Sequence, residues 1–510
     1  MEILHYIMLV FREPLLIALI GIGTFAGVYV GAIPGLTGTM TVSLLVSFTY
    51  SWSANNALAL MIGVFVGVVF GGSRSAILLN MPSAPAAVAT GFDGYPLAQR
   101  GLAGEAMGLA TTQSFFGTIL GIIALAVGAP LVSKFALSFR SIDYLMLALI
   151  GLMTVGSLSG KSIKHGLIAG AIGLLAGCVG IDPQTAVRRF TFGLPYLNSG
   201  VDFLVAMIGL FGGAEALFQL TQMHTVPAKQ QVKRIIPSWQ TTQKHLPLTL
   251  RSAVLGVLVG AIPGAGGDIA ALLSYDQAKR STRHPSAPFG EGALEGVIAP
   301  ETANNAAIGG AFIPMLTLGI PGDAVTAVLI SALTVHGLRP GPNLMSSSPD
   351  LFWLIVSCLI FASFFLLLFG LTGIRLFSKI VETPKGILIP TILVLSVIGT
   401  FAIRNSLYDI LWMFAFAILG YFLKRYDYPV APLVLGIILC PLFENNYRRG
   451  VMLAGSLPGL VKNIFDSPIS LLLFMLIVFL FVYQAKTKWA VDSGQWTKKP
   501  PTDRHPPHGT

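Results

Sequence analysis

A proline-glycine break inside apolar sequence occurs twice in this chain and constrains its fold more than any other feature. The pentapeptide Gly-Ala-Ile-Pro-Gly stands at residues 31–35 and again at residues 260–264. Proline removes a backbone donor and glycine leaves helical geometry easily, so each site interrupts a helix. In a membrane, interrupted backbone is tolerated only where protein buries it or a water-filled cavity faces it. Such breaks at matching places in two halves of a chain are typical of a binding site near the membrane midplane.

The composition agrees with a membrane location for these breaks. Only 11% of the 510 residues are charged and 54% are hydrophobic, whereas soluble domains carry about 25% charged residues. Apolar runs recur that are long enough to cross a hydrocarbon core of about 30 Å, which predicts an all-α, polytopic helical membrane protein with about 10–12 spans. The net charge of +10 comes from basic residues in short loops, as the positive-inside bias requires, and argues against a nucleic-acid partner.

Each half carries a second break, which predicts an internal repeat. These breaks are Asn80-Met-Pro-Ser-Ala-Pro85 in the first half and Gly319-Ile-Pro-Gly322 in the second. We therefore predict two pseudo-symmetric transmembrane repeats, at 1–220 and, with additional helices, at 252–484. A basic cytoplasmic loop at 221–251 separates them, and a disordered polar tail follows at 485–510. The first apolar run also contains a ridge of small residues on which a neighbouring helix can pack closely: Gly23, Gly27, Gly31 and Gly35.

Basic residues on both sides of the second pentapeptide predict a re-entrant hairpin. The segments 221–251 and 279–284 are both basic. If both are cytoplasmic, residues 252–275 enter and leave the membrane on one side, with Pro263 at the tip. The first pentapeptide has no basic flank, which favours entry from the opposite side and therefore an inverted repeat. Basic residues also flank the predicted helix at 142–158 on both sides, so the topology around it stays open.

The joint pattern of motifs resembles that of one family, the large membrane subunit of the tripartite tricarboxylate transporters. The stretches that carry the resemblance are Gly31-Ala-Ile-Pro-Gly-Leu, Asn80-Met-Pro, Phe92-Asp-Gly-Tyr-Pro96, Gly260-Ala-Ile-Pro-Gly-Ala-Gly, Pro300-Glu-Thr-Ala-Asn-Asn305, Gly319-Ile-Pro-Gly322, Leu338-Arg-Pro-Gly-Pro342 and Pro432-Leu-Val-Leu-Gly436 through Glu444 and Arg448. Two positions depart from the family pattern, since Ser83 replaces a glycine and Asp323 replaces a small neutral residue.

The resemblance implies the activity, the partners and the location of the protein. It implies a bacterial inner-membrane secondary transporter subunit that imports a small carboxylate, a di- or tricarboxylate, on a cation gradient. Na⁺ or H⁺ is the implied coupling ion, and no other cofactor is expected. The implied partners, besides membrane lipid, are a periplasmic substrate-binding protein and a small membrane subunit. An uncoupled anion channel, a structural scaffold and an intramembrane enzyme are the alternatives. The sequence shows no nucleophile beside a base, so we do not expect an enzyme.

Helices that begin after proline-glycine breaks present free backbone N–H groups and the positive end of a helix dipole, which bind anions. The four breaks therefore predict a carboxylate site, although a break can also be a packing kink without a ligand. Arg74 can pair with a substrate carboxylate or belong to a structural ion pair. The candidate substrate-binding residues are Gly35, Leu36, Thr37, Gly38, Thr39, Arg74, Pro82, Ser83, Gly264, Ala265, Gly266, Gly267, Pro321 and Gly322.

Oxygen-bearing side chains at membrane depth are candidates for binding the coupling cation, because such residues are costly there and usually functional. The candidates are Asp268, Asn304, Asn305 and Asp323. Asp268 and Asp323 can instead cap the helices in whose first turns they stand. Glu301 is expected at the membrane interface.

The cysteines and histidines do not predict a metal site. Cys178, Cys358 and Cys440 lie in apolar runs without metal-binding spacing, so we expect small, buried, hydrophobic side chains. The eight histidines form no pair spaced for zinc on one helix.

Overall fold

The computed structural model describes residues 2–33, 36–80, 82–158, 163–182, 186–221, 239–373, 385–426 and 428–479. The predicted polar tail, most of the predicted basic loop and the candidate residue Gly35 lie outside these ranges. The regular structure of the described residues is almost entirely helical, as predicted. A short β-hairpin is the exception, in which Gly180–Ile181 (β1) pairs antiparallel with Arg188–Arg189 (β2).

The helices, in chain order, are α1 Glu2–Arg12, α2 Pro14–Ala32, α3 Gly38–Phe48, α4 Ala54–Leu79, α5 Pro85–Leu97, α6 Ala103–Ala136, α7 Ser141–Leu158, α8 Ile163–Gly177, α9 Phe203–Met207, α10 Ala214–Leu220, α11 Trp239–Lys244, α12 Leu246–Gly260, α13 Gly266–Ser281, α14 Glu295–Leu318, α15 Ala324–Val335, α16 Leu344–Ser347, α17 Pro349–Thr372, α18 Lys385–Arg404, α19 Leu407–Arg425, α20 Val430–Ala454, α21 Leu457–Phe465 and α22 Pro468–Phe479. Two π-helical stretches, Ala98–Leu102 and Ile208–Gly213, join α5 to α6 and α9 to α10.

Several helices are long and apolar enough to cross a membrane, which makes this a multi-pass membrane protein. By length and composition there are five such segments among the described residues, and α21 with α22, bent by 99°, makes a sixth if counted as one span. Seven shorter apolar helices are also present among the described residues, so the expected 10–12 spans stay a prediction. Three of these shorter helices border the proline-glycine breaks: Gly38–Phe48, Leu246–Gly260 and Ala324–Val335. The five segments are Pro14–Ala32, Ala54–Leu79, Pro85–Ala136, Pro349–Thr372 and Leu407–Arg425.

The end of the predicted basic loop is helical, so the prediction of a loop up to residue 251 was wrong there. Residues 239–244 form α11, and α12 begins at Leu246 rather than near residue 252. Pro247 stands in the first turn of α12, where its missing N–H has no helical partner to lose. The loop prediction rested on charge, and basic residues do not prevent a helix from starting.

The small-residue ridge predicted in the first apolar run packs α2 against α4. A side chain at any of three glycines of α2 would collide with a backbone oxygen of α4, so the two backbones touch directly. Residue numbers rise together along both helices, which therefore run parallel. Because α2 and α4 are parallel, α3 returns the chain between them, and α2 with α3 forms a helical hairpin. The contacts, in order, are Gly23–Leu60, Gly27–Val64 and Gly31–Val68.

The second half contains the same arrangement. Two glycines of α12 lie against backbone oxygens of α14, and a glycine of α14 lies against α12. From Gly256 against Ala303 to Gly260 against Ala307 the numbers rise together on both helices, so α12 and α14 run parallel and α13 returns the chain between them. The helices α12 and α13 therefore form a second helical hairpin, with the second pentapeptide at its turn. The contacts are Gly256–Ala303, Gly260–Ala307 and Gly310–Val257.

The two hairpins point in opposite directions along the helix bundle. In three contacts between α4 and α14, the residue numbers rise along α4 while they fall along α14, so these helices are antiparallel. Because α2 is parallel to α4 and α12 is parallel to α14, α2 and α12 are antiparallel too. The three contacts are Phe65–Phe312 between rings, Val69–Asn304 and Ser73–Glu301 through hydrogen bonds.

Candidate functional site at the helix breaks

Four breaks separate pairs of helices in the structure. Break 1 (33–37) lies between α2 and α3, and break 2 (80–84) lies between α4 and α5. Break 3 (261–265) lies between α12 and α13, and break 4 (319–323) lies between α14 and α15. Three of their residues lie outside the described part of the chain: Pro34, Gly35 and Met81.

Hydrogen bonds join break 1 to break 2 and break 2 to break 3. The Ser83 hydroxyl donates to the backbone oxygen of Gly31, the residue of α2 that precedes break 1. The backbone N–H of Ala86, in the first turn of α5, donates to Asp268 Oδ1 over 3.0 Å. Asp268 is therefore a helix cap, but it caps the neighbouring α5 rather than its own helix α13.

Close packing joins break 3 to break 4 and break 4 to break 1. A Cβ atom placed on Gly266 would lie 2.8 Å from Asp323 Cβ, and one placed on Gly322 would lie 2.7 Å from the backbone oxygen of Gly260. A Cβ atom on Gly38 would lie 3.5 Å from Val325 Cγ2. These contacts close a ring, which we call the ring of breaks. Four stretches that are far apart in the sequence meet there.

Solvent reaches the ring of breaks. Pro82 and Asp268 are exposed, and Thr37, Ser83 and Asp323 are half-buried. A charged side chain at membrane depth faces either the protein interior or a water-filled cavity. The exposed carboxylate of Asp268 therefore faces water-accessible space at the ring. Other candidate residues are buried packing positions: Leu36, Thr39, Ala265, Gly266, Pro321 and Gly322.

Side chains cap three of the four helix starts at the ring. The Thr37 hydroxyl caps α3, Asp268 caps α5, and Asp323 forms a capping box with the first turn of α15. The helix α13, whose N-cap residue is Ala265, has no side-chain cap among the described residues. A cap bonds only one or two of the four unpaired N–H groups of a helix start. Donors therefore remain at each start, and the start of α13 is the one whose N–H groups no described side chain caps.

The two adjacent asparagines of α14 point to different places. Asn304 donates to the backbone oxygen of Val69 over 3.3 Å, and its Oδ1 lies directly against Gly267. Asn305 donates to Ser114 Oγ over 2.9 Å and to the backbone oxygen of Glu301. Asn304 therefore belongs to the ring of breaks with Asp268 and Asp323, whereas Asn305 contacts α6.

Glu301 is buried in the interior of the helix bundle, and its position at the membrane interface stays a prediction. It is 1% exposed and accepts hydrogen bonds from Thr90 Oγ1 at 2.5 Å and Ser114 Oγ at 2.8 Å. Ser73 Oγ lies 3.4 Å away. The carboxylate links α4, α5, α6 and α14. An acidic residue inside an apolar run is the signal that identifies such a position.

Arg74 is fully buried beside α6 and α17. Its guanidinium donates to Thr111 Oγ1 over 2.5 Å and to the backbone oxygen of Gly370 over 3.1 Å. It also lies 4.2 Å above the ring centroid of Phe70 and attracts the carboxylate of Glu301 electrostatically. These contacts are structural, and the pairing of Arg74 with a substrate carboxylate stays a prediction.

Asp93 holds the loop before α14 and was not singled out as a site residue from the sequence. Its Oδ1 accepts backbone N–H bonds from Gly290, Gly292 and Ala293 at 2.7–2.8 Å, and its Oδ2 accepts from the Tyr275 hydroxyl. The carboxylate thus links α5, α13 and the loop into α14 at the end of the bundle that lies away from the ring.

At the same end of the bundle, His245 precedes α12 and bonds Glu295 at the start of α14. The two side-chain atoms lie 3.2 Å apart. The hydrogen bond to Glu295 raises the pKa of His245 above its usual value, against the effect of burial. Ser286 also donates to Glu295. This pair fixes the starts of the two parallel helices of the second half.

The fold and the site define a class of protein. Long apolar helices pack through glycine ridges, and helices that break in the interior meet around solvent-accessible carboxylates. Such an arrangement belongs to multi-pass membrane proteins with discontinuous helices, a design that transporters use.

The chain belongs to the tripartite tricarboxylate transporter TctA family, whose model matches residues 17–435. It is therefore the large membrane subunit of a tripartite tricarboxylate transporter, a system that also has a periplasmic binding protein and a small membrane subunit. The uncharacterized 52.8 kDa protein in the TAR-I ttuC' 3' region of Agrobacterium vitis is 36% identical over 85% of this chain and 86% of its own length. The uncharacterized protein in the TAR-II ttuC' 3' region of the same organism is 40% identical over 39% of this chain and 82% of its own length. No solved structure matches this chain.

Proposed function

We propose that the chain imports a di- or tricarboxylate on a cation gradient and that the ring of breaks holds the substrate and the coupling cation together. The observation that carries this proposal is the convergence of four helix breaks on the accessible carboxylate of Asp268. Discontinuous helices present N–H groups to substrate carboxylates and oxygen atoms to cations. The start of α13 supplies the N–H groups, and Asp268, Asp323 and Asn304 supply the oxygen atoms.

Two carboxylates at the ring make substrate binding depend on the cation. Asp268 and Asp323 lie close enough to repel each other, and both repel an anionic substrate. A Na⁺ held by their oxygen atoms, or a proton on Asp268, removes this repulsion and lets a substrate carboxylate approach the start of α13. Because coupling free energies are reciprocal, the substrate strengthens cation binding by the same factor.

The two helical hairpins fit re-entrant segments that enter the membrane from opposite sides, as the two halves of an inverted repeat. Support comes from the antiparallel directions of α2 and α12. The lengths also fit, because α12 and α13 have 15 and 16 residues, or about 22–24 Å of helix, which is shorter than a hydrocarbon core of about 30 Å.

The proposed location is the bacterial inner membrane, where a periplasmic binding protein delivers the substrate to the ring. An uncoupled anion channel is the alternative that would use the same anion-binding groups at the ring of breaks. It differs in one measurable property, since its flux does not depend on a cation gradient. An intramembrane enzyme is the other alternative, and it would need a nucleophile hydrogen-bonded to a base.

Uptake by cells that express the chain with its two partner subunits tests the proposal. Radiolabelled di- and tricarboxylates are offered with an inward Na⁺ gradient, with an inward proton gradient, or with neither. We expect at least one carboxylate to be taken up only when one of the gradients is present. Equal uptake without a gradient would identify a channel, and a lack of uptake for every carboxylate would refute the substrate class.

The same assay tests the cation site. We expect Asp268→Asn to raise the Na⁺ concentration for half-maximal uptake by about tenfold, because it removes a negative charge from the site while its amide oxygen can still cap α5. The control is Asp276→Asn, which removes an exposed carboxylate from the same helix, paired with Arg280. An unchanged Na⁺ titration for Asp268→Asn would leave Asp268 as a cap alone.

Cysteine labelling tests the second hairpin. The starting variant lacks the three native cysteines. Lys244→Cys then places a thiol just before α12, and Arg280→Cys places one at the end of α13, both at exposed positions. We expect a membrane-impermeant maleimide to label both from the cytoplasmic side and neither from the periplasmic side. Labelling from opposite sides would show that residues 246–281 cross the membrane and are not re-entrant.

A further inference from the structure

Two cysteines that lie 262 residues apart in the sequence meet between α8 and α20. Cys178 directly follows α8, Cys440 lies within α20, and their sulfur atoms are 3.4 Å apart. Gly173 and Gly436 each lie against the backbone of the other helix, which lets the two helices approach closely. Glu444 lies one turn after Cys440 on the same face of α20. A carboxylate oxygen and the two sulfur atoms all lie within 4.8 Å of one another.

We propose that Cys178, Cys440 and Glu444 bind one divalent cation of the Zn²⁺ or Cd²⁺ type. Thiolate and carboxylate groups are zinc ligands, and three protein ligands leave a fourth position for water. Two sulfur atoms held at about 2.3 Å by a tetrahedral zinc lie about 3.8 Å from each other. The observed separation of 3.4 Å therefore needs little adjustment, whereas a disulfide would require an approach to about 2.05 Å.

Two arginines position the carboxylate and balance the charge of the site. Arg189 Nη1 and Arg448 Nη2 both bond Glu444 Oε1, which leaves the second carboxylate oxygen for a metal. Arg448 also pairs with Asp182. The two arginines offset the two carboxylates, and a dication offsets two thiolates, so the loaded site is neutral overall. Hydrogen-bonded groups that orient a ligand in this way are regular parts of metal sites.

The site is accessible, and it adjoins the ring of breaks. Cys178 and Glu444 are half-buried, so an ion reaches the ligands without unfolding of the protein. On the same helix α20, Leu435 and Leu439 pack against Ile320 of break 4. An ion that bridges α8 and α20 therefore connects α8 to break 4 through α20. This metal site does not depend on the proposed transport function.

A spectroscopic titration of the purified, full-length chain with Cd²⁺ under reducing conditions tests the site. We expect a thiolate-to-cadmium charge-transfer band that saturates at one ion per chain, and loss of the band in Cys178→Ser and in Cys440→Ser. The matched control is Cys358→Ser, which removes the buried cysteine of α17 and should keep the band. Glu444→Gln should keep the band and weaken the affinity, and size-exclusion chromatography checks that each variant is folded.

Three results would overturn the inference. They are a wild-type chain without the band, a band that survives in the Cys178→Ser/Cys440→Ser double variant, and a loss of two of the three free thiols in protein purified without reductant. The last result would show a disulfide in place of a metal site. An affinity that Glu444→Gln leaves unchanged would overturn the assignment of Glu444 as a ligand.

Discussion

Gly264→Leu is expected to reduce uptake to below about a tenth of the wild-type rate while the protein is still inserted at its normal level. Gly264 lies in break 3 with a φ of 77°, and a residue with a side chain pays roughly 1–2 kcal/mol in this left-handed conformation. This strain lowers the stability of the fold, and it reduces transport only where the strained segment forms part of the binding site. The leucine side chain also occupies space at the start of α13, where we place the substrate carboxylate.

The chain provides a matched control for backbone strain. Gly337 also has a φ of 77°, and no atom lies within 4 Å of a Cβ placed on it. It is exposed in the loop after α15, away from the ring of breaks. We expect Gly337→Leu to pay the same strain and to retain uptake, as measured in cells at matched membrane levels. Equal losses in both variants would mean that strain, rather than the place of Gly264 in the ring, explains the defect.

Asp93→Ala is expected to prevent the accumulation of folded protein. The substitution removes the acceptor of three backbone N–H bonds, two of them buried, and of the Tyr275 hydroxyl. A buried donor left without a partner costs about 1–3 kcal/mol, so the sum is several kcal/mol. That is a large part of the typical stability of a folded domain, about 5–15 kcal/mol. The loop before α14 and the starts of the helices it connects lose their common anchor.

The measurement is the fraction of monodisperse protein after detergent extraction, with the midpoint of thermal unfolding where protein is recovered. Tyr275→Phe is the control, because it removes one of the four hydrogen bonds and leaves the three backbone N–H groups paired. We expect it to cost about 1 kcal/mol and to yield folded protein. A normal yield and midpoint for Asp93→Ala would show that water or a rearranged loop replaces the carboxylate.

The local parts of the site were predictable from the sequence. Proline and glycine at 34–35 and 263–264 interrupt helices whatever surrounds them, because a missing N–H and a missing Cβ are properties of single residues. The glycine ridge at Gly23, Gly27 and Gly31 was likewise predictable, and the structure confirms that it packs closely on another helix. Its partner helix, α4, was not named by the sequence.

The positions of single polar residues were less predictable. Asp268 caps α5, and Glu301 is buried among hydroxyl groups of three other helices. Both facts depend on helices that are far away in the sequence. The same holds for Cys178 and Cys440, which show no metal-ligand spacing along the chain and come together because α8 and α20 pack closely.

The sequence by itself determined that this chain is a helical membrane protein with interrupted helices, and its motifs pointed to the family that the comparison confirms. Hydropathy, proline and glycine act through local physics, so composition and spacing are sufficient for those conclusions. The tertiary structure alone decided that the four breaks meet in one ring and that the two hairpins run in opposite directions. It also decided which carboxylates face water there. These properties arise from contacts between segments that are not neighbours in the sequence, such as Ala86 with Asp268 and Gly38 with Val325, and no local pattern encodes such contacts.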